Sequence, residues 1–243
     1  MKTTLHLLTA ALLAASVSAT AHANGVVTQW NFNSPTPDNV LTTGTTDPSI
    51  GVGFASLLNG VTGGFASGIA NGGSSDPAAS DNSGWQTTGY AAQGLGNKLS
   101  GVQFAVSTLG FQDVVVTYDL RHSNTSSRYE QFQYSTDGVS FIDYALFDGN
   151  AGDTWFNNRT VDLTSVAGVN DNASFAFRVV AAFAPDTTAY AASKPSSSYA
   201  GGTWRFDMVT VHAAPVPEPE TYALMLAGLG LVGFMARRRR AAA

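Results

Sequence analysis

Three glycines near the C-terminus, Gly228, Gly230 and Gly233, stand at the G-x-G-x-x-G spacing with which backbone amides can cradle a pyrophosphate. That chemistry needs a strand before the glycines, a helix after them and an acidic residue roughly 20 positions further on. Here Pro215, Pro217 and Pro219 argue against a preceding strand, and the ten residues after Gly233 include no acid. The glycines therefore read as part of an apolar helix.

Other residues capable of chemistry are few. The chain has no cysteine, which excludes thiolate metal sites and cysteine nucleophiles. His122 falls in a polar stretch and reads as a solvated turn residue, and His212 closes the last strand pattern. No G-x-S-x-G elbow accompanies either one. A carboxylate pair for glycoside hydrolysis would have to come from Glu130 and the aspartates, most of which stand in turn contexts. Arg121 and Arg128 bracket the loop His122–Ser127; they either face a ligand or pin the loop ends by pairing with Asp119 and Glu130. Trp85, Tyr90, Trp155 and Tyr199 lie in polar, glycine-rich surroundings, where exposed rings stack on sugars and buried ones plug a core. Asp137, Asp148 and Asp153 could lend oxygens to calcium, but they lack EF-hand spacing. No other cofactor is implied.

The elements that must position these residues are strands. Between Asn24 and Ala214, seven Lys/Arg stand against fifteen Asp/Glu, a net charge of −8, which opposes binding to nucleic acid. Gly, Ser, Thr, Asn and Asp dominate between apolar runs, a β-protein composition rich in turns. Period-two alternation predicts strands at 26–32, 114–120, 175–183 and 204–208, with a weaker one at 154–163. Runs 129–135 and 139–147 flank Thr136-Asp137-Gly138 and predict a hairpin. Residues 59–98 read as a long Gly/Ser/Asn-rich loop region, either a mobile surface excursion or one with an edge strand over Trp85–Tyr90. The sum is an all-β, two-sheet antiparallel sandwich of jelly-roll type.

Both ends carry targeting signals. Met1-Lys2, the apolar stretch Leu5–Val17 and the small residues Ala21 and Ala23 lay out a signal peptide over residues 1–23, helical and cut by signal peptidase. At the other end, Tyr222–Ala236 is fifteen residues without a charge. A helix of that length is about 22 Å long at about 1.5 Å per residue, short of a hydrocarbon core of about 30 Å. Tyr222 at one interface and snorkelling Arg237, Arg238, Arg239 and Arg240 at the other make up the difference. A single transmembrane helix is thus expected over 221–236, its arginine end in the cytoplasm.

The triplet Pro217-Glu218-Pro219, the short apolar helix and the arginine cluster Arg237–Arg240 resemble the PEP-CTERM sorting signal over 215–240, a tail also labelled ice-binding protein C-terminal domain. The resemblance implies a Gram-negative exported precursor, held for a time in the inner membrane. It also implies processing by an exosortase and a final place at the cell surface or in exopolysaccharide. A second resemblance covers about 110 residues within the exported domain, 24–214. Trp30–Phe32, Gly101–Thr108, Arg121–Arg128, Tyr134–Gly138 and Phe206–Val209 look like a recurrent β-sandwich ectodomain of such proteins, similar to galactose-binding modules. It implies first and last strands lying near each other. The function expected is a non-catalytic carbohydrate- or matrix-binding module, with Trp85, Tyr90, Arg121, Arg128 and Trp155 as candidate ligand contacts. The alternatives are a purely structural matrix protein and a polysaccharide-active enzyme. Ice binding would need a regular Thr array, and no T-x-T repeat of that kind occurs.

Overall fold

Alternating apolar residues become eleven strands in the computed structural model, which describes residues 25–217 and 219–241. The signal segment with Ala21 and Ala23 lies outside the described residues, as does Glu218. In chain order the strands are β1 (Gly25–Trp30), β2 (Phe54–Leu58), β3 (Thr62–Ser67), β4 (Ser83–Thr88), β5 (Gly101–Ala105) and β6 (Phe111–His122). They continue with β7 (Tyr129–Ser135), β8 (Ile142–Asp148), β9 (Thr154–Asp162), β10 (Ala176–Ala182) and β11 (Trp204–Pro215). Helix α1 spans Pro219–Ala241.

Two antiparallel sheets face each other. One runs β3-β4-β11-β6-β9, with β1 also paired to β11; the other runs β2-β5-β10-β7-β8. The first and last strands are therefore neighbours, Gly25 opposite Ala213 and Trp30 opposite Val209. Inward side chains fill the gap. Trp30, Phe104, Phe177 and Phe132 form a continuous row of rings, at centroid separations of 4.9, 5.1 and 5.4 Å. Trp204, Phe206, Tyr118 and Leu120 close around it, all essentially without solvent contact.

Several expectations change. The stretch 59–98 is not one loop: it holds β3, a short 3-10 turn at Ala70–Gly72 and β4. Nor is β4 an edge strand, because β3 pairs on one side of it and β11 on the other. Gly63 and Gly64 weaken the strand signal of β3, yet a side chain at Gly63 would meet the Trp85 indole at 2.6 Å. The last strand runs on through Pro215, which pairs with Phe111. A proline is tolerated there because it ends the ladder. The next N–H, that of Val216, donates to the Gly110 carbonyl at 2.8 Å.

An α-helix does form over the expected C-terminal segment. Among the described residues, however, no helix is long and apolar enough to cross a membrane.

Close packing of the second sheet is most stringent at Gly101. A Cβ there would stand 2.1 Å from the Val179 carbonyl oxygen and 2.7 Å from the Val180 Cα, both backbone atoms. Gly101→Ala should cost about 1–3 kcal/mol by overpacking, or a melting midpoint lower by roughly 2–12 °C for a domain of this size. An unchanged midpoint in calorimetry would contradict the packing described.

Candidate functional site

The candidate ligand contacts proposed from sequence do not converge. Trp85 is 4% exposed and stacks on Phe32 at 5.5 Å between the sheets, so it offers no ring face to a sugar. Tyr90 is buried against Trp204, with its hydroxyl 2.6 Å from Thr87 Oγ1. Burial, opposed by that bond, drives its phenol far above the ordinary range. Trp155 is 8% exposed, and its indole N–H donates to the Ala70 carbonyl at 2.8 Å. Tyr199 stacks on Tyr190 at 4.5 Å and donates to the Ala91 carbonyl. These rings are core and cover, the bland alternative. Glycine-rich surroundings suggested exposure because they gave no sign of what packs over them.

The two arginines are pinned, but by other partners than expected. Arg121 pairs with Asp153, which also accepts from Asn124 Nδ2 at 2.7 Å. Arg128 makes a bidentate pair with Asp148, both bonds 2.7 Å. Asp137 caps its own turn, accepting from the Val139 N–H at 2.8 Å and the Ser140 N–H at 2.6 Å, which holds its carboxyl below the usual range. The three calcium candidates are thus engaged separately. Among the described residues, no three His, Asp or Glu side chains gather to hold a metal ion.

His122 overturns its reading as a solvated turn residue. It ends β6 facing inward, with no solvent contact. Its Nδ1 lies 2.8 Å from the Ser127 carbonyl oxygen, within hydrogen-bond reach. Its Nε2 lies 2.5 Å from Glu130 Oε2, across the gap between the sheets. Glu130 Oε1 accepts from the Tyr118 hydroxyl at 3.4 Å and stands 3.0 Å from Arg159 Nε, an ion pair without hydrogen-bond alignment. The Arg159 guanidinium lies over Phe156 and Phe147, at 4.5 and 5.0 Å. A buried carboxylate persists only with such compensation. His122 and Glu130 have no solvent contact, and the group acts as a clamp between the sheets. His212 is half-buried, its Nε2 3.1 Å from Thr117 Oγ1, and burial lowers its pKa.

The outer face of the first sheet is covered by residues 68–82. Asp119 accepts the Ser75 N–H at 2.5 Å and the Asn158 N–H at 2.7 Å. Its register partner Asp207 is wholly buried and accepts the Met208 N–H at 2.8 Å. Burial, reinforced by Asp76 and Asp119 against the hydrogen bonds of Ser74 and Met208, raises the Asp207 carboxyl well above the usual range. Nearby, Arg205 donates to Gln86 Oε1 at 2.7 Å and to the Ser67 carbonyl. Burial, and then Arg121, lower its guanidinium to about 10.

The outer face of the second sheet is different. Ser56, Gln103, Arg178, Gln133 and Asp143 stand in register, one per strand, across β2, β5, β10, β7 and β8. Arg178 Nε donates to Gln103 Oε1 at 2.8 Å, and its guanidinium carbon lies 3.5 Å from the Phe141 ring centre. Gln133 Nε2 donates to Asp143 Oδ1 at 2.8 Å, and Lys98 Nζ meets Asp143 Oδ2. At about 4.8 Å between strands, the row is about 19 Å long. Exposed Phe54 flanks it on one side and exposed Leu146 on the other. Sequence reasoning missed this row. Its signal was a polar residue set singly between core residues in three strands: Gln103 between Val102 and Phe104, Gln133 between Phe132 and Tyr134, Arg178 between Phe177 and Val179.

A family model described as the PEP-CTERM protein-sorting motif matches residues 215–240, so the chain carries that motif. No curated protein matches the chain. Its sandwich resembles carbohydrate-binding modules. One is the CBM22-1 xylan-binding domain of Paenibacillus barcinonensis Xyn10C, 12% identical over 81% of this chain and 99% of that one, with a TM-score of 0.47. Another is the family 11 module of Clostridium thermocellum in complex with a β-1,3-1,4-mixed-linked tetrasaccharide, 13% identical over 68% and 91%, TM-score 0.36. The K2 cleaved adhesin domain of Lys-gingipain is 12% identical over 75% and 96%, TM-score 0.38. At these identities the likeness concerns fold.

Asp207 makes stability depend on pH. A carboxyl raised in the fold gives stability that is full below its ordinary value of 3.8 and is lost as pH rises through the folded value. Asp207→Asn keeps the acceptor for Met208 and removes the ionisation. Its urea midpoint should therefore gain on that of the wild type as pH rises from 4 to 8. Parallel curves for the two proteins over that range would refute the assignment.

Proposed function

We propose that this chain is an exported surface protein, sorted through its C-terminal motif by an exosortase, whose sandwich binds extracellular polysaccharide without catalysing its cleavage. The observation that carries the binding reading is the polar row on the second sheet. Sugars are recognised by planar donors and acceptors set beside apolar and aromatic surface, and an amide–guanidinium–amide–carboxylate series provides both kinds of group in a straight line. Its register runs across the strands, so a glycan would lie over all five. Glu130, Asp119 and Asp207 are buried, and Asp148 and Asp153 are paired with arginines, which supports binding over hydrolysis.

The tail supports the sorting half. Helix α1 leaves its apolar side chains uncovered on every side: Leu224 is 74% exposed, Leu226 65%, Val232 64% and Phe234 60%. A helix apolar all round wants an apolar surrounding. We assign that surrounding to the inner membrane, with Arg237 and Arg238 reaching the cytoplasmic headgroups, until exosortase acts near Pro217-Glu218-Pro219. Signal peptidase would release the other end after Ala23, and the sorted product would sit at the cell surface or in its matrix.

The test is retention of the exported domain, residues 24–217, on the host's own extracellular polysaccharide, with calcium and with chelator. Wild type should be retained saturably. Arg178→Ala combined with Gln133→Ala should bind about tenfold or more weakly with an unchanged melting midpoint, since a hydrogen bond to a charged group is worth about 1.5–3 kcal/mol. Retention indifferent to both substitutions would remove the row from the reading. No retention of wild type in either condition would leave a structural matrix component.

A further inference from the structure

The pole of the sandwich from which the tail leaves carries a group of exposed apolar loop tips. β11 ends there at Pro215, beside the start of β1 and of β6. The second sheet brings the starts of β2, β8 and β10 and the ends of β5 and β7 to the same pole, through the pairings Phe54–Ala105, Ala105–Ala176, Ala176–Ser135 and Tyr134–Ile142. At this pole Val52 is 85% exposed, Val139 80% and Leu109 56%; Phe54, Ile142 and Val216 are exposed beside them.

The tips are held out by their own backbone bonds. Asp137 fixes the turn that lifts Val139. Asp171 Oδ1 accepts the Gly110 N–H at 2.8 Å next to Leu109, and Thr28 Oγ1 donates to the Val52 carbonyl at 3.0 Å. None of the lysines or arginines between Asn24 and Ala214 falls in the loops 50–53, 106–110, 136–141 or 163–175. Attraction to anionic headgroups therefore does not drive this surface.

The length of the tether says what covers it. Val216 is fastened to Gly110, and α1 begins at Pro219. Three residues of extended chain span at most about 10–11 Å. The headgroup layer of one leaflet is about 5–8 Å deep. With α1 held in a bilayer, the pole is kept at or just above the headgroup layer, within reach of the lipid.

We propose that this pole is a lipid-contacting surface. While the precursor is tethered, Val52, Leu109, Val139 and Val216 lie in the headgroup layer of the same bilayer that holds α1. This rests on the membrane tethering proposed above. It also gives the domain a fixed pose, with β11 pointing at the membrane and the outer face of the second sheet turned sideways to it.

The chain has no cysteine, so single labels can be placed cleanly. The exported chain, tail included, would be reconstituted in phosphatidylcholine vesicles whose headgroups carry a quencher. One fluorophore would be placed in turn at Leu109→Cys, Val139→Cys, Leu95→Cys at the far pole and Leu226→Cys in α1. The labels at 109, 139 and 226 should lose most of their emission and the label at 95 almost none. Quenching at 226 with 109 and 139 as bright as 95 would overturn the lipid surface and leave the tethering standing. A bright label at 226 would overturn the tethering itself and the surface with it. Losses at 109 and 139 that grow with protein density in the vesicle would show a second copy covering the pole, which also overturns the proposal.

Discussion

Strand β11 must satisfy hydrogen bonds on both edges, and on one of them no single neighbour does so. β6 accompanies it from Trp204 to Pro215, while β4 serves residues 204–206 and β1 serves 209–213. The change of partner falls at Asp207-Met208, where Met208 takes a positive φ of 47° and the register with β6 slips. A bulge there re-aims the strand and leaves backbone groups to be met by side chains. Asp207 meets one of them, and Asp119 takes the Ser75 and Asn158 N–H groups, which brings the covering segment 68–82 down on the sheet. The cover, the burial of Asp207 and the placement of Trp155 all follow from that one change of partner.

The two sheets use their charges in opposite ways. Inside, Glu130 joins the sheets through His122, with Arg159 and Tyr118 completing its shell. Such a group adds little net stability over an apolar core of the same shape, but removing one member leaves a buried charge unmatched. Outside, on the second sheet, the polar row runs from half-buried Ser56, Gln103 and Arg178 through buried Gln133 to exposed Asp143, and its bonds run side chain to side chain. It can exchange partners with an arriving ligand at modest cost, which the interior clamp cannot.

The sandwich was legible where alternation is strong. Val114–Leu120, Phe175–Phe183 and the Asp-Gly hairpin became β6, β10 and β7–β8. β3 was hidden by its glycines and β4 was legible only as an edge strand, because what holds them is cross-strand packing against Trp85 and Arg205 rather than local propensity. His122 was misread for a similar reason. Its sequence neighbours are polar, but the inward phase of β6 carries on past Leu120, so position 122 faces the core. The rings offered as ligand contacts went inside, and the polar row consists of a serine, two amides, an arginine and an aspartate, whose alignment exists only once five strands are in register. The sorting tail needed no tertiary contact, and its pattern could be read directly from the chain.

The place where β11 ends has a mechanical consequence. In an antiparallel ladder the hydrogen bonds lie perpendicular to the strands. A protein held at its C-terminus while flow or a bound polymer drags on its body is pulled along the axis of β11. The ladders to β6, β1 and β4 are then loaded sideways, many bonds together, instead of being unzipped one at a time from an edge. With β11 in the middle of its sheet, the strand that takes the strain is also the one most firmly gripped, a geometry suited to a domain loaded through its C-terminus.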